Sequence, residues 1–495
     1  MKNSISSIMF AFFNRSKIIT IAIALTLMTI SCKKFLDVGA PVTSTNTANI
    51  YQSNNSAISV LTALYADMSN NFLNNGLTSL SVNPELTADN LVLFNLNAKE
   101  SLMYYQNSYN SISSSPGYWN KFYSQIYIVN AALEGLNNSH TLNKTIKERL
   151  LGEAYFTRAL YYFYMVNLYG SVPLVLNTDY AKSAVAGRTD VAEIYAQMVI
   201  DLKNAHDLLD NTFLDGTLLT TTENRVRPNR MAAAALLARI YIYQKNYIAA
   251  EASATEVINN TTLFSLVPLE AVFLKNSKET IWSLLPVKAN YNTDEGNAFL
   301  LPNGPNDGLQ PFYLSASLID SFEPGDNRKI FWTGTYNNGI TSFPYVTKYK
   351  VPANSSSGEP IEYSIVLRLA EQYLIRAEAR AEQSNISGAV DDLNQLRTRA
   401  RAIASKEIPN PLPNLSSSLS LTQVRVAILN ERRLELFTEY GHRWFDLKRT
   451  GNADAIMQVE STAKGSIWNS FQALYPIPNS EILLDTKIKQ NPGYN

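Results

Sequence analysis

The 495-residue chain contains one cysteine, Cys32. A single thiol excludes an internal disulfide framework and any multi-cysteine metal site. Histidine is almost as scarce. His140, His206 and His442 are the three present; they lie far apart and offer no ligand-spaced set for a transition metal. Neither sign of charge is in excess, with 42 Lys plus Arg against 42 Asp plus Glu. No basic run stands out, which argues against nucleic acid as a partner. P-loop, GxSxG and GxGxxG motifs are missing, so no cofactor, no metal and no catalytic centre are expected. Tyrosine, by contrast, is abundant at 28 residues. Each ring pairs an apolar face with a hydrogen-bonding hydroxyl.

The N-terminal segment explains the lone thiol. Lys2, Arg15 and Lys17 precede an apolar run over Ile18–Ile30, and no acidic residue occurs before Asp37. A basic start, a short apolar core and the small residue Ser31 make a secretory signal peptide over residues 1–31. The run is shorter than the roughly 20 apolar residues that cross a bilayer. Cleavage after Ser31 leaves Cys32 at the new N-terminus. This resembles the bacterial lipoprotein signal, with Thr29 where leucine is usual, and implies acylation of Cys32 as a membrane anchor. Residues 32–48 read as the acylated end and a flexible tether.

Beyond the signal the chain exceeds the roughly 250–300 residues at which one core stops growing, so two lobes or an elongated helical array are expected. "YWNKFYSQIYIVNAALEGL" (118–136) and "IKERLLGEAYFTRALYYFYMVNLYG" (146–170) read as helices. The second is apolar or aromatic on nearly all sides from Tyr155 to Tyr164, the pattern of a buried helix. Gly170 and Pro173 mark its stop.

A finer repeat follows. Ala238, Tyr241, Tyr247, Ala250, Ala254 and Val257 fall at tetratricopeptide positions, and Ala377, Arg380, Ile386, Ala389, Leu393 and Leu396 repeat the pattern. Small residues there let antiparallel helices approach closely, with turns expected at Asn246 and Ser387. The helices at 118–136 and 146–170 make a third pair. The pairs are widely separated, so the expected architecture is a mostly α scaffold with large insertions. Residues 263–366 hold most of the extended segments ("TIWSLLPV", "FPYVTKYKV", "EYSIVLRL") among Gly, Pro and Asn loops, where binding usually resides.

"VRVAILNERRLELFTEYGHRWFDLKRTG" (424–451) places Glu431 and Glu435 one turn apart on the face that carries Val424, Ala427, Ile428 and Leu434. A carboxylate pair suits a glycosidase. The alternative is a buried ion-pair network with Arg432, Arg433, Arg443 or Arg449, which would depress both carboxyl pKa values, whereas a general acid needs one raised. The basic surroundings favour the structural reading. His442 reads as a core or helix-end histidine.

Ligand contacts are expected instead from two loops. "LTADNLVLFNLNAKESLMYYQNSYNS" (86–111) offers Asp89, Asn90, Tyr104, Tyr105, Asn107 and Tyr109, and "LLPVKANYNTDEGNAF" (284–299) offers Tyr291, Asn292 and Asp294. An exposed ring takes the C–H face of a sugar, while amides and carboxylates take its hydroxyls.

Several stretches carry a family likeness: "SCKKFLDV", "EAYFTRALYYFYMVNLYGSVPLV", "LRLAEQYLIRAEARAEQSNISGAVDDLNQLRTRAR", "ILNERRLELFTEYGHRWFDLKRTG" and the terminal "LYPIPNSEILLDTKIKQNPGY". In this order they resemble the SusD/RagB family of outer-membrane nutrient-binding lipoproteins of Bacteroidota. The resemblance implies a SusD-like domain over 49–495, with 263–366 as a variable loop-rich insertion and 367–495 holding the late helix pair and signature. It also implies capture of an oligosaccharide or other nutrient at the cell surface, a SusC-like TonB-dependent transporter as partner, and no enzymatic activity. Glu431, Arg432, Arg433, Glu435, Gly441, Arg443, Trp444, Asp446 and Arg449 are then signature residues that hold the fold. A lipid-anchored glycan hydrolase and a helical-repeat scaffold for protein partners are the competing readings.

Overall fold

The computed structural model describes residues 47–110, 117–288, 290–352, 358–485 and 487–494. The expected signal peptide, Cys32 and nearly all of the tether lie outside these residues. The chain separates into two units, Met1–Ile50 and Tyr51–Asn495. Of the first, the short helix Thr47–Ile50 is described.

The second unit opens with α1 (Asn54–Asn70), capped by the Ser53 side chain, followed by α2 (Asn83–Thr87), β1 (Leu91–Leu93) and α3 (Lys99–Tyr105). Helix α4 (Tyr118–Asn138) packs along α5 (Lys144–Tyr169), within two residues of the expected bounds. The Asn143 side chain accepts the N–H groups of Thr145 and Ile146, which satisfies two of the free donors at the start of α5. Gly170 ends the helix at φ 73°, a conformation that costs glycine little. Every side chain from Phe156 to Val166 is buried, because α4, α1 and α6 (Val191–Leu208) all pack on α5. Each buried Leu or Phe there stabilises by roughly 1.5–3 kcal/mol.

Helices α7 (Arg230–Tyr243) and α8 (Tyr247–Ile258) form the next pair. The loop-rich part then contributes β2 (Thr280–Leu284), α9 (Asp294–Phe299), β3 (Phe312–Leu314), β4 (Thr333–Asn337), β5 (Ser342–Val346) and β6 (Ser364–Arg368). Together with β1, these strands form three small antiparallel pairs, β1 with β3, β2 with β6, and β4 with β5. The chain returns to helices with α10 (Leu369–Glu382), α11 (Ile386–Ala400), α12 (Leu421–Leu436), α13 (His442–Arg449) and α14 (Ala453–Ala463).

The repeat positions do what small residues do at helix contacts. Ala238, Ala250, Ala254, Ala377 and Ala389 are all fully buried, where α7 meets α8, α8 meets α10, and α10 meets α11. Arg380 occupies one repeat position and joins three helices, donating to Glu251 of α8 and Asp392 of α11 at 2.9 Å each. The two turns are alike: Lys245 and Ser384 take positive φ, and the next residue, Asn246 or Asn385, caps the following helix. The second turn therefore falls at Ser384–Asn385 and not at Ser387, which lies in the first turn of α11. Gly388 belongs to the same device, since a Cβ there would meet the capping Asn385 side chain at 2.7 Å.

Candidate functional site

On α12, Glu431 and Glu435 are buried as the helical spacing required, at 1% and 0% exposure. Their partners are not the expected neighbours. Arg328 NH1 donates to Glu431 Oε1 at 2.6 Å and to Glu435 Oε2 at 3.0 Å. Arg397 NH1 reaches Glu431 Oε2 at 3.4 Å, Arg368 NH1 reaches Glu435 Oε1 at 2.7 Å, and Arg399 NH2 also donates to Glu435 Oε1. Arg433, two positions from each glutamate, lies off their shared face, and Arg432 is taken by another helix. Arg432 Nε donates to Asp446 Oδ2 at 2.7 Å, and Arg449 bonds Asp446 and Glu378.

The two carboxyls also differ. At Glu435 burial opposes ionisation, but the guanidiniums of Arg399, Arg368 and Arg328 outweigh it and hold the carboxyl well below its ordinary value. At Glu431 burial outweighs Arg328 and Arg397, and the carboxyl lies above its ordinary value. The expectation that both are depressed holds for Glu435 only. Neither residue lines the two cavities described below.

Asp89 and Asn90, expected at the ligand, are buried against the signature helices. Arg443 grips both oxygens of Asp89, and Arg433 Nε donates to Asn90 Oδ1 at 2.9 Å. Tyr104 and Tyr109 pack on the Tyr475 ring, with centroids 5.7 and 4.8 Å away. Asn107 Nδ2 donates to Thr87 O at 3.2 Å. The Tyr105 ring lies 5.1 Å from Lys464 Nζ, which itself donates to Leu86 O at 2.7 Å. These six residues therefore tie the 86–111 loop to the C-terminal part of the chain and are enclosed there.

The 284–299 loop is different. Thr293 caps α9 by accepting from Gly296 N, and Asn292 Oδ1 accepts from Ile361 N and Glu362 N at 3.0 and 3.2 Å. These bonds brace a crevice lined by Tyr291, Asn292, Asp294, Lys288, Asn70 and Asn74, among others. The partly buried Tyr291 ring sits 4.9 Å from Lys288 Nζ. Burial pushes the Asp294 carboxyl up, with Lys288 and the Gly76 N–H opposing. Behind the wall, Glu295 accepts from Ser364 Oγ at 2.5 Å, and burial pushes its carboxyl up to about 7.

Further rings lie on the same insertion. Tyr313 of β3 is paired with Val92 of β1. Phe343 of β5 stands edge-on to Tyr313 at 5.3 Å and to Phe94 at 5.8 Å, and Phe94 is 43% exposed. Tyr336 lies against Gly304 and Tyr345 against Gly334; a Cβ at either glycine would come within 2.4 and 2.6 Å of the ring. Phe94, Tyr313, Tyr336 and Tyr345 were not singled out in the sequence. For Tyr336 and Tyr345 the signal was aromatic residues interleaved with Gly and Asn in "FWTGTYNNGITSFPYV".

A larger cavity of about 360 Å³ lies on the helix scaffold between α7, α8, α10, α12 and α13. Four of its charged groups are paired, Arg425 with Glu382 at 2.6 Å and Arg449 with Glu378. Among the described residues, no three His, Cys, Asp or Glu converge as a metal site, and no helix is long and apolar enough to cross a membrane. His442 begins α13 in full burial, which, with Arg239 and Arg432 nearby, pushes its pKa well down.

Comparison with known proteins follows the same lines. Residues 34–242 match a SusD-like family described as "Starch-binding associating with outer membrane", and residues 329–494 match the SusD family. SusD-like protein P2 of Formosa agariphila is 26% identical over 417 residues, covering 75% of this chain and 80% of that protein. Among solved structures, a laminarin-binding SusD-like protein superposes with a TM-score of 0.72 at 24% identity, covering 88% of this chain and 99% of the other. Surface glycan-binding protein A from Bacteroides uniformis gives 0.72 at 19% identity, over 89% and 99%. The chain belongs to the SusD/RagB family.

Proposed function

We propose that this protein captures an oligosaccharide on its loop-rich face and passes it to a SusC-like TonB-dependent outer-membrane transporter, with acylated Cys32 holding it at the cell surface. The observation that carries the reading is a set of rings held rigid yet left part-exposed: Tyr291 at the crevice, and Phe94, Tyr313, Tyr336 and Tyr345 on the β1–β3 and β4–β5 strands. Rings fixed by neighbouring glycines and edge-on contacts lose little freedom when a sugar stacks on them, which lowers the cost of binding. Asn70, Asp294 and Lys288 stand beside Tyr291 for the hydroxyls. Lys288 and Asp294 offset each other in charge, which suits a neutral sugar. The glycan-binding names of two structural neighbours support the ligand class.

The test is affinity electrophoresis of the mature protein against a polysaccharide panel, followed by calorimetry on any hit. Tyr291→Ala and Tyr313→Ala are expected to weaken binding by about tenfold or more without changing thermal stability much. The protein is expected to release no reducing ends from the bound glycan. Failure of every glycan to bind would remove this reading, and reducing-end release would favour the hydrolase.

A further inference from the structure

We propose that the cavity between α7, α8, α10, α12 and α13 is a second ligand site, for a small carboxylate carried on an apolar body. The site is independent of the capture reading above. Its volume of about 360 Å³ falls in the range of small-molecule sites, roughly 300–1,000 Å³. The apolar lining runs from Ile242 and Ile428, each 1% exposed, to Val426, which is 65% exposed. Tyr247 and Leu429 join them, and Ile248, next to Tyr247, is 74% exposed. Exposed aliphatic side chains continuous with a cavity mark a surface that gains by being covered.

Charge selects the head group. Five charged side chains line the cavity, and four cancel in pairs. Arg425 Nε and NH2 donate to the two oxygens of Glu382 at 2.6 Å, and Arg449 NH2 donates to Glu378 Oε2 at 2.7 Å. The fifth is Lys245, which is exposed and has no ion-pair partner among the described residues. Its backbone is fixed in the left-handed turn between α7 and α8, at φ 58°, with its N–H donating to Ile242 O at 3.2 Å. One uncompensated cation matches a monoanion better than a phosphate, which carries nearly two charges. An exposed ion pair contributes little alone, so the apolar body supplies most of the affinity. A sugar fits this lining poorly. The Thr450 hydroxyl is spent, donating to Asp446 O at 2.6 Å and accepting from Asn452 Nδ2 at 2.8 Å. Sugar hydroxyls set against the aliphatic wall would lose water without replacement.

Three probes separate head from body by calorimetry on the mature protein. Octanoate has both parts, octylamine keeps the chain but reverses the charge, and glucuronate keeps the carboxylate on a polar body. Octanoate is expected to bind with a Kd of about 1 mM or tighter, and the other two about tenfold or more weakly. Val426→Glu places a like charge at an exposed position of the lining. It is expected to weaken octanoate about fivefold or more with an unchanged melting temperature. A smaller loss overturns the site, as does failure of the wild type to bind octanoate. Octylamine or glucuronate within about tenfold of octanoate overturns the assignment of head or body. If Val426→Glu does not fold, Lys245→Asn, whose new side chain tolerates the left-handed turn, is judged by the same limit.

Discussion

Arg443 holds Asp89 by two parallel hydrogen bonds of 2.7 Å, from Nε and NH2 to the two carboxylate oxygens. The residues are 354 positions apart in the chain. Arg433 adds a contact of 3.0 Å to the same carboxylate. One acidic residue near the N-terminal end of the domain thus pairs with two guanidiniums of the C-terminal signature. Asp89 is a clamp between the loop after α2 and helices α12 and α13.

Asp89→Asn leaves two buried guanidiniums short of a counter-charge. Breaking a buried pair from one side costs roughly 3–5 kcal/mol. Denaturant titration should show a loss of that order, while glycan affinity per folded molecule stays within about twofold.

Glu435→Gln removes the carboxylate shared by Arg328, Arg368 and Arg399, with a similar expected loss of roughly 3–5 kcal/mol. It should also change the acid limb. Glu435, Asp89 and Asp446 all have folded pKa values below the ordinary range, from their arginine partners. Such groups contribute stability that is present above their unfolded values of about 4 and lost as pH falls through the folded ones. The wild-type melting temperature should therefore drop below about pH 4, and the drop should be shallower in Glu435→Gln.

Glu295 has the opposite sign. Burial lifts its carboxyl to about 7, so its contribution is present below the unfolded value and declines as pH rises toward 7. Glu295→Gln should raise the melting temperature at pH 8 relative to wild type and change it little at pH 5. Equal shifts at both pH values would contradict the assignment.

Gly441 takes φ 77° where α13 begins, and a Cβ there would stand 2.9 Å from Pro84 and 3.1 Å from Phe445. Gly441→Ala combines left-handed strain with overpacking and should cost roughly 2–4 kcal/mol, read by denaturant titration.

Cys32→Ala tests the anchor. The variant is expected in the soluble fraction after cell lysis, where the wild type sediments with membranes; sedimentation of the variant would oppose acylation at Cys32.

The helical scaffold was legible because its cause is local. Periodic apolar positions, capping asparagines and alanines at a repeating spacing each act within a turn or two of helix, so α4, α5, α7, α8, α10 and α11 could be placed within a few residues. The burial of Glu431 and Glu435 was legible for the same reason, since one helix face carries both. Their partners were not, because Arg328, Arg368, Arg397 and Arg399 arrive from other elements of the fold, and a helix wheel cannot see them.

The face proposed for the ligand depended on tertiary structure most. Asp89 and Tyr104 have the composition of contact residues, yet the signature helices and Tyr475 close over them. Phe94, five positions beyond Asp89, stays out because it leaves β1 beside Phe343, on a hairpin over 240 residues away. Composition and periodicity determined that this chain is a helical, loop-decorated protein rich in rings. Which rings remain open to a ligand was decided by contacts between distant segments, since exposure is a property of what packs above a residue and not of the residue itself.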